Sequence, residues 1–391
     1  MKKLLLNSLI LFLAVNVGLQ AQEGENIPIS PKVKMGKLDN GLTYYIRSNE
    51  RPEDKLELRL VINAGSILEN EDQQGLAHFV EHMNFNGTEN FEKNELVDYL
   101  QSIGVKFGAD LNAYTSFDET VYILPIPSDD DETLNTGFQI LEDWAHKATM
   151  TDEDIDEERG VVMEEYRLGL GPDKRMMQEY LPKVMYNSHY ADRLPIGKKE
   201  VIQEADYETV RNFYKDWYRP DLMAVVAVGD LDVEKIEEKI KSHFSNLEPV
   251  ENPRERKTYD LPNHEETVVS IATDEEAPFS QVRVYYKDHK ESEDVVTKED
   301  YIDQMEKNLF STMINNRLSE LTNSSNPTFN YGYSYYGGTF ARNKNAYQSF
   351  AMTGENQQLE SLKALLEENE RVKRHGFTKS EFERAKSEYL A

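Results

Sequence analysis

The chain has 391 residues, of which 39% are apolar, so it is long enough for two or three domains with buried cores. Its 72 acidic residues outnumber its 44 lysines and arginines and give a formal charge of −28. This balance argues against binding to nucleic acid or to an anionic membrane surface, because both need basic patches. The sequence contains no cysteine, which excludes disulfides, thiolate metal sites and a cysteine nucleophile.

The N-terminus has the pattern of a secretory signal peptide. Lys2 and Lys3 precede an apolar run at 4–17, and residues 18–21 offer a cleavage site. We therefore expect residues 1–21 to be removed and the mature protein to be exported, either to the periplasm or out of the cell. The apolar run is short for a membrane span, and we expect no membrane span after signal cleavage.

Periodicity and turn signals predict an irregular mixture of strands and helices up to residue 248. The predicted strands lie at 42–47, 56–64 and 223–228, and 112–125 is predicted to be one long strand or a hairpin arm. The predicted helices lie at 74–85, 93–103, 131–148, 151–167, 207–217 and 233–244. Such a mixture predicts an α+β fold, with a mixed, largely antiparallel sheet and helices packed on it, rather than a doubly wound sheet. Three prolines then mark a polar linker at 249–263.

The second part of the chain repeats features of the first at a constant distance. Thr151 and Thr378 begin similar helical segments 227 positions apart. Three matches at one offset predict two homologous layered units. Only a short stretch follows Thr378, so we expect the second unit to be truncated. The other two matches carry the strand 120–126 onto 347–353 and the helix 131–147 onto 358–374.

The strongest chemical signal is the pentad His78-Phe79-Val80-Glu81-His82. On a helical wheel the two histidines and Glu81 share one face, and apolar residues occupy the other. Imidazoles one helical turn apart can bind one Zn²⁺, and the glutamate between them can reach a water on the metal. The alternative is a pair of surface histidines on a solvated helix. It leaves unexplained why this face carries His-Glu-His instead of the commoner lysine and glutamate.

A catalytic zinc usually takes three protein ligands and keeps one position for water. The acidic run at 157–165 can supply the third ligand. Glu158 and Glu165 are seven positions apart and share a helical face, so that one could bind the metal while the other orients a ligand. Spacing alone does not choose among Glu157, Glu158, Glu164 and Glu165.

Five motifs in order make the chain resemble the superfamily of pitrilysin, insulin-degrading enzyme and mitochondrial processing peptidase, the inverzincin zinc metallopeptidases. The resemblance runs from about residue 30 to the end. The motifs lie at 75–83, Asn112–Thr115, 158–165, 195–197 and 217–230. The resemblance implies one Zn²⁺ per catalytic domain, held by His78, His82 and Glu165, with Glu158 as the acid that supports them.

The resemblance also implies how a substrate binds and is cleaved. The strand of Asn112, Ala113, Tyr114 and Thr115 would lie beside the zinc and receive an extended peptide as an added strand. Glu81 would act as the general base of a metalloendopeptidase that hydrolyses peptides or unfolded polypeptide segments. Family members enclose their substrate between two halves, so we expect a partner half, on the same longer chain or on another subunit.

The expected organisation is therefore a signal peptide at 1–21, a catalytic zinc peptidase domain at 30–248, a linker at 249–263 and a second, incomplete domain at 264–391. The second unit lacks a histidine in its corresponding helix, at 302–321, and we expect it to be non-catalytic. The alternatives are a non-catalytic core or assembly subunit, or a peptide-binding half that needs a partner. Core subunits of this fold typically lack the zinc residues, which this chain retains.

Overall fold

The structure, a computed structural model, describes residues 25–93, 95–105, 112–290 and 294–391. The signal peptide predicted at 1–21 lies outside these residues. The described elements form two layered units, each a β-sheet with helices packed against it. None of the helices described here has the length and apolar character needed to cross a membrane.

A six-stranded sheet forms the centre of the first unit. Its strands are arranged in the order β1-β2-β6-β3-β5-β4. The pair β2–β6 is parallel, and the other pairs of this sheet are antiparallel. The sheet is therefore mixed and largely antiparallel, as the sequence predicts. The strands are β1 (Val33–Lys37), β2 (Thr43–Ser48), β3 (Lys55–Ile62), β4 (Asn112–Thr115), β5 (Thr120–Pro127) and β6 (Met223–Gly229).

The central strand β3 shows how the sequence directs this sheet. Leu56, Leu58, Leu60 and Ile62 alternate with more exposed residues, and all four are buried. Successive side chains of a strand point to opposite faces, so this alternation turns one face of β3 towards the helices. The register pairs Leu60 with Val225 on one side and with Tyr122 on the other, which continues the buried layer across three strands.

Eight helices belong to the first unit in the described part of the chain. Phe79, Trp144 and Trp217, from three different helices, are each less than 2% exposed and fill the core between helices and sheet. The helices are α1 (Leu76–Met83), α2 (Glu95–Ser102), α3 (Asp131–His146), α4 (Asp152–Gly169), α5 (Pro172–Val184), α6 (Lys199–Glu204), α7 (Tyr207–Trp217) and α8 (Val233–Phe244).

The second unit has a three-stranded antiparallel sheet, arranged β7-β9-β8. A small apolar cluster that includes Leu318, Phe329 and Leu365 joins this sheet to its helices. The strands are β7 (Ser280–Lys287), β8 (Tyr331–Gly338) and β9 (Asn345–Thr353), and the helices are α9 (Lys298–Thr322), α10 (Gln358–His375) and α11 (Lys379–Leu390).

The two units share a topology. The order β3-β5-β4 in the first sheet corresponds to β7-β9-β8 in the second, and both sets are antiparallel. Helix α3 begins at Asp131 and α10 at Gln358, which is the 227-residue offset found in the sequence. Helices α4 and α11 begin at the same offset, at Asp152 and Lys379. The duplication predicted from three local matches is thus present in the arrangement of strands and helices.

Some boundaries differ from the sequence prediction. The segment predicted as one long strand or hairpin arm at 112–125 is an antiparallel hairpin, in which β4 and β5 are joined by a turn at 116–119. The sequence reading did not find β1, α5 or α6. Residues 249–263 contain no helix or strand, but Leu261 and Tyr259 pack against the core of the first unit.

Candidate active site

The pentad lies on the short helix α1, whose two faces differ as the wheel predicts. Leu76, Phe79, Val80 and Met83 are fully buried in the core. The helix starts after Gly75, which has a left-handed φ of 105°. A Cβ on Gly197 would lie 2.2 Å from the Cα of Gly75, so two glycine backbones cross in direct contact at this point. This contact explains why glycines occur in the motifs at 75–83 and 195–197.

The two histidines of α1 turn their rings towards each other. Their Nε2 atoms are 3.2 Å apart, and the ring planes meet at 83°. One helical turn separates the residues, so this distance follows from the i, i+4 spacing. The imidazoles therefore present two nitrogen atoms to one point in space.

Helix α4 brings two of the four candidate acids to these rings. Glu165 Oε2 lies 3.3 Å from His82 Nε2 and 3.7 Å from His78 Nε2. Glu158 Oε1 lies 2.7 Å from the other nitrogen of His82, Nδ1, which donates a hydrogen bond to it. The two acids therefore occupy different sides of His82.

The other two candidate acids point elsewhere. Glu164 forms an exposed ion pair with Arg167, and Glu157 forms one with Lys93. Neither belongs to the group of three residues whose ligand atoms lie within 4.8 Å of one another, which consists of His78, His82 and Glu165. Of the four acids that the spacing allows, Glu165 is therefore the one that lies within reach of a metal shared with both histidines.

The three ligand atoms fit a zinc ion. Ligands placed tetrahedrally at about 2.0–2.1 Å from zinc stand about 3.3 Å from one another. The three separations here are 3.2, 3.3 and 3.7 Å. The set of two imidazoles and one carboxylate is also one that zinc accepts. The Glu165 side chain is half exposed, so the site is open to solvent.

Burial and neighbouring acids give the two histidines opposite protonation behaviour. Burial, together with the nearby His82, lowers the pKa of His78 to about 4. Its Nδ1 is buried and has no hydrogen-bond partner among the described residues. Burial also lowers the pKa of His82, but the hydrogen bonds to Glu158 and Glu165 outweigh it and raise the pKa to about 9. Near neutral pH, His78 is therefore neutral and His82 carries the positive charge of the pair.

Glu81 is the remaining polar residue of the α1 face, and it is only 7% exposed. Burial raises its pKa to about 7, although a hydrogen bond from Thr115 opposes this rise. The Thr115 hydroxyl donates to Glu81 Oε2 at 2.5 Å. A carboxyl group with a pKa near 7 can both accept and release a proton at neutral pH.

The predicted substrate strand lies at the edge of the sheet. Strand β4 pairs with β5 on one side, and no described strand pairs with its other side. Asn112 and Tyr114 are exposed, whereas Ala113 and Thr115 are partly buried. The free edge of the strand thus has no strand partner among the described residues, and its Thr115 contacts Glu81.

Sequence reasoning missed two contacts that support these residues. The Asn86 side-chain amide donates to Glu158 Oε2 at 2.5 Å and so fixes the acid that holds His82. The resemblance places Thr115 among the substrate-binding residues and does not predict its bond to Glu81. Asn86 is four residues beyond His82, but its partner is 72 residues away, and no local pattern in the sequence signals such a contact.

Comparison with known proteins agrees with this fold. Residues 44–194 match the family described as Insulinase (Peptidase family M16), and residues 204–389 match the Peptidase M16 inactive domain. A protein described as zinc protease PQQL-like from Arabidopsis thaliana is 39% identical over 295 residues, which cover 75% of this chain and 31% of that protein. The probable zinc protease PqqL of Escherichia coli is 32% identical over 369 residues, covering 93% of this chain and 39% of the relative.

A solved structure extends the comparison to three dimensions. The crystal structure of the first half of the periplasmic protease PqqL from Escherichia coli superposes with a TM-score of 0.85 at 31% identity. The match covers 93% of this chain and 77% of that structure. The chain belongs to peptidase family M16. It spans between 31% and 39% of the length of the two curated relatives described above.

Proposed function

We propose that this chain is the zinc-binding part of a metalloendopeptidase that hydrolyses peptides or unfolded polypeptide segments. The observation that carries the proposal is the convergence of His78, His82 and Glu165 to within 3.7 Å of one another. The two histidines share helix α1 with the buried Glu81, and Glu165 comes from α4. The zinc proteases among its relatives support the same class of chemistry.

His78, His82 and Glu165 would hold one zinc ion per chain. When bound, zinc supplies a Lewis acid that acidifies water and polarises a carbonyl group. Glu158 accepts the hydrogen bond from His82 Nδ1, which leaves Nε2 free as the ligand atom. Glu158 thus fixes both the tautomer and the orientation of this ring.

Glu81 would serve as the general base and then as the general acid. Its Oε2 accepts the hydroxyl hydrogen of Thr115, and we assign proton transfer to Oε1. This oxygen takes the proton of the attacking water and later delivers it to the leaving amine. The raised pKa of about 7 supports this exchange, because the carboxyl group releases its proton as readily as it accepts one near neutral pH.

The substrate would bind along the open edge of β4. Asn112, Ala113, Tyr114 and Thr115 would pair through their backbones with an extended peptide, while pockets for alternate side chains set the preference. Backbone pairing requires no particular sequence, so we expect broad tolerance among extended peptides. Because Thr115 contacts Glu81, a peptide on this strand would lie next to the general base.

We further propose that the protein acts in the periplasm or outside the cell, with residues 1–21 as a signal peptide. The proposed partition is a catalytic domain at 30–248, a linker at 249–263 and a non-catalytic domain at 264–391. We also propose a second half as partner, on the same longer chain or on another subunit. One relative supports the proposed location and the proposed second half, because its structure is described as the first half of a periplasmic protease.

The test is hydrolysis of a fluorogenic peptide, measured together with metal content. We expect about one zinc per chain and hydrolysis that a chelator removes and added zinc restores. Glu81→Gln should retain zinc and lose about 10²–10⁴-fold in kcat/KM. Glu164→Gln, a matched change of an exposed acid on α4, should leave zinc content and kcat/KM unchanged.

Two results would contradict the proposal. Near-normal turnover by the Glu81→Gln variant would refute the assignment of the base. Peptide binding at one equivalent with no cleavage by the zinc-loaded chain would favour the peptide-binding alternative.

A further inference from the structure

The second unit reaches into the first through the turn that joins β8 and β9, at 339–344. Ala341 is only 2% exposed because it lies in the large core of the first unit, and Phe340 packs against the same core. The Lys344 ammonium group donates a hydrogen bond to Asn263 in the segment between the units. The turn is therefore anchored in a fixed position on the first unit.

Arg342, at the tip of this turn, binds the turn that joins β4 and β5. Its Nη2 donates to Glu119 Oε2 at 3.0 Å and to the Asp118 carbonyl at 3.3 Å. Its Nη1 donates to Asn63 Oδ1 at 2.7 Å, directly after β3. One guanidinium group from the second unit thus joins the end of β3 to the β4–β5 turn.

The β4–β5 turn is directly connected to the residues of the edge strand. The hydroxyl of Tyr114 donates to Oε1 of Glu119, whose Oε2 accepts from Arg342. The backbone N–H of Ser116 donates to the Glu119 carbonyl at 2.7 Å and closes the turn directly after Thr115. Movement of this turn would therefore displace Tyr114 and the end of the edge strand.

We propose that Arg342 is a positioning residue for peptide binding along β4, through which the second unit controls the substrate-binding edge of the first. The proposal rests on the proposed function, since it assumes that peptides bind to this strand. Arg342 touches neither the residues that would hold zinc nor Glu81. Its effect therefore falls on peptide binding more than on the chemical step.

The exposure of this contact separates a positioning role from a structural one. Arg342 and Glu119 side chains are 44% and 37% exposed, and exposed ion pairs contribute little to global stability. Loss of the guanidinium group should therefore loosen the β4–β5 turn locally while both units stay folded. A residue needed only for folding would change exchange and unfolding throughout the first unit.

The experiment compares Arg342→Ala with Arg374→Ala in the full chain. Arg374 pairs with Glu370 on its own helix in the same unit, so this control removes the same charge without touching the first unit. We expect faster amide hydrogen exchange at 112–119 in the Arg342→Ala variant only. In the same variant KM for a fluorogenic peptide should rise about fivefold, with kcat changed by less than about twofold.

Three outcomes would overturn the proposal. If amide hydrogen exchange at 112–119 were the same in Arg342→Ala as in Arg374→Ala, Arg342 would not hold the strand. Faster exchange throughout the first unit would indicate a structural role, and faster local exchange with an unchanged KM would separate the turn from peptide binding. If the unsubstituted chain binds no zinc, the proposed function fails, and the exchange comparison still decides whether Arg342 holds the strand.

Discussion

The two units place different side chains at the same junction between two helices. In the first unit, α1 packs against α4, and the contact consists of His78 and His82 with Glu158 and Glu165. In the second unit, α9 packs against α11 in the corresponding place. There Arg317 forms an ion pair with Glu381 at 2.5 Å.

This difference determines what each junction can do. A guanidinium group keeps its protons in proteins and has no lone pair to offer a metal, so Arg317 can only hold the helices together. An imidazole can give up its proton and bind a metal through the freed nitrogen. The shared arrangement of β3-β5-β4 and β7-β9-β8 thus fixes where a site can form, and the side chains at the junction decide whether one does.

The largest expected effect comes from removing a ligand in the first unit. Glu165→Gln should weaken zinc binding by more than the roughly 10–100-fold typical of residues that only orient a ligand, and peptide hydrolysis should fall with it. Glu164→Gln is the matched control, because that acid points to Arg167. Competition with a zinc-binding dye measures both affinities. Equal affinities for the two variants would remove Glu165 from the site.

The next effect concerns the acid that orients His82. Glu158→Gln should weaken zinc binding about 10–100-fold without removing a ligand, because His82 would lose the carboxylate that accepts from Nδ1. The same dye competition gives the size of the loss. Glu157→Gln, a neighbouring acid paired with Lys93, should bind zinc normally. If Glu158→Gln lost more zinc affinity than Glu165→Gln, Glu158 would be the ligand and Glu165 the acid that orients His82.

The corresponding change in the second unit should affect stability and not zinc. Arg317→Ala leaves Glu381 without its cation and leaves Glu368 with Arg371 alone, and should lower the free energy of unfolding of this unit by about 3 kcal/mol. Native-state hydrogen exchange in α9 and α11 measures that loss. Both tryptophans of the chain, Trp144 and Trp217, lie in the first unit, so the fluorescence transition should stay in place. Loss of zinc from Arg317→Ala would contradict the claim that zinc binding depends on the first unit alone.

The smallest expected effect is a pH dependence of the second unit. The hydrogen bond with Arg317 lowers the pKa of Glu381 from 4.5 to about 2. The folded state thus holds the charged form more strongly than the unfolded state, and this stability is present above pH 4.5 and lost as the pH falls towards 2. Hydrogen exchange in α11 at pH 5 and pH 3 should show a smaller pH effect in Arg317→Ala than in the unsubstituted chain. If the pH effect were equal in Arg317→Ala and in the unsubstituted chain, the stabilisation would come from groups other than the Arg317–Glu381 pair.

Local patterns in the sequence were sufficient for much of the fold and for part of the site. The faces of α1 and the alternation in β3 depend only on helix and strand periodicity, so both were predictable. Strand β1 was missed because its residues are partly exposed and carry little alternation. Helix α5 begins with Pro172 and contains Pro182, and prolines ordinarily indicate a break.

The rest of the site depends on contacts between distant segments. Spacing left four acids as possible third ligands, and the resemblance favoured Glu165. The packing of α4 on α1 places Glu165 beside the histidines and turns Glu164 towards Arg167. The bonds of Thr115 to Glu81 and of Asn86 to Glu158 join elements 34 and 72 residues apart. The contact of Arg342 with Glu119 spans 223 residues and joins the two units. Periodicity carries no information about such pairs.

The position of the metal tests the central claim most directly. Crystals of the zinc-loaded chain would be measured by anomalous diffraction at the zinc absorption edge. We predict a single strong peak at about 2.0–2.2 Å from His78 Nε2, His82 Nε2 and one carboxylate oxygen of Glu165. A peak elsewhere, or one bound to the histidines without Glu165, would contradict the assignment of this site.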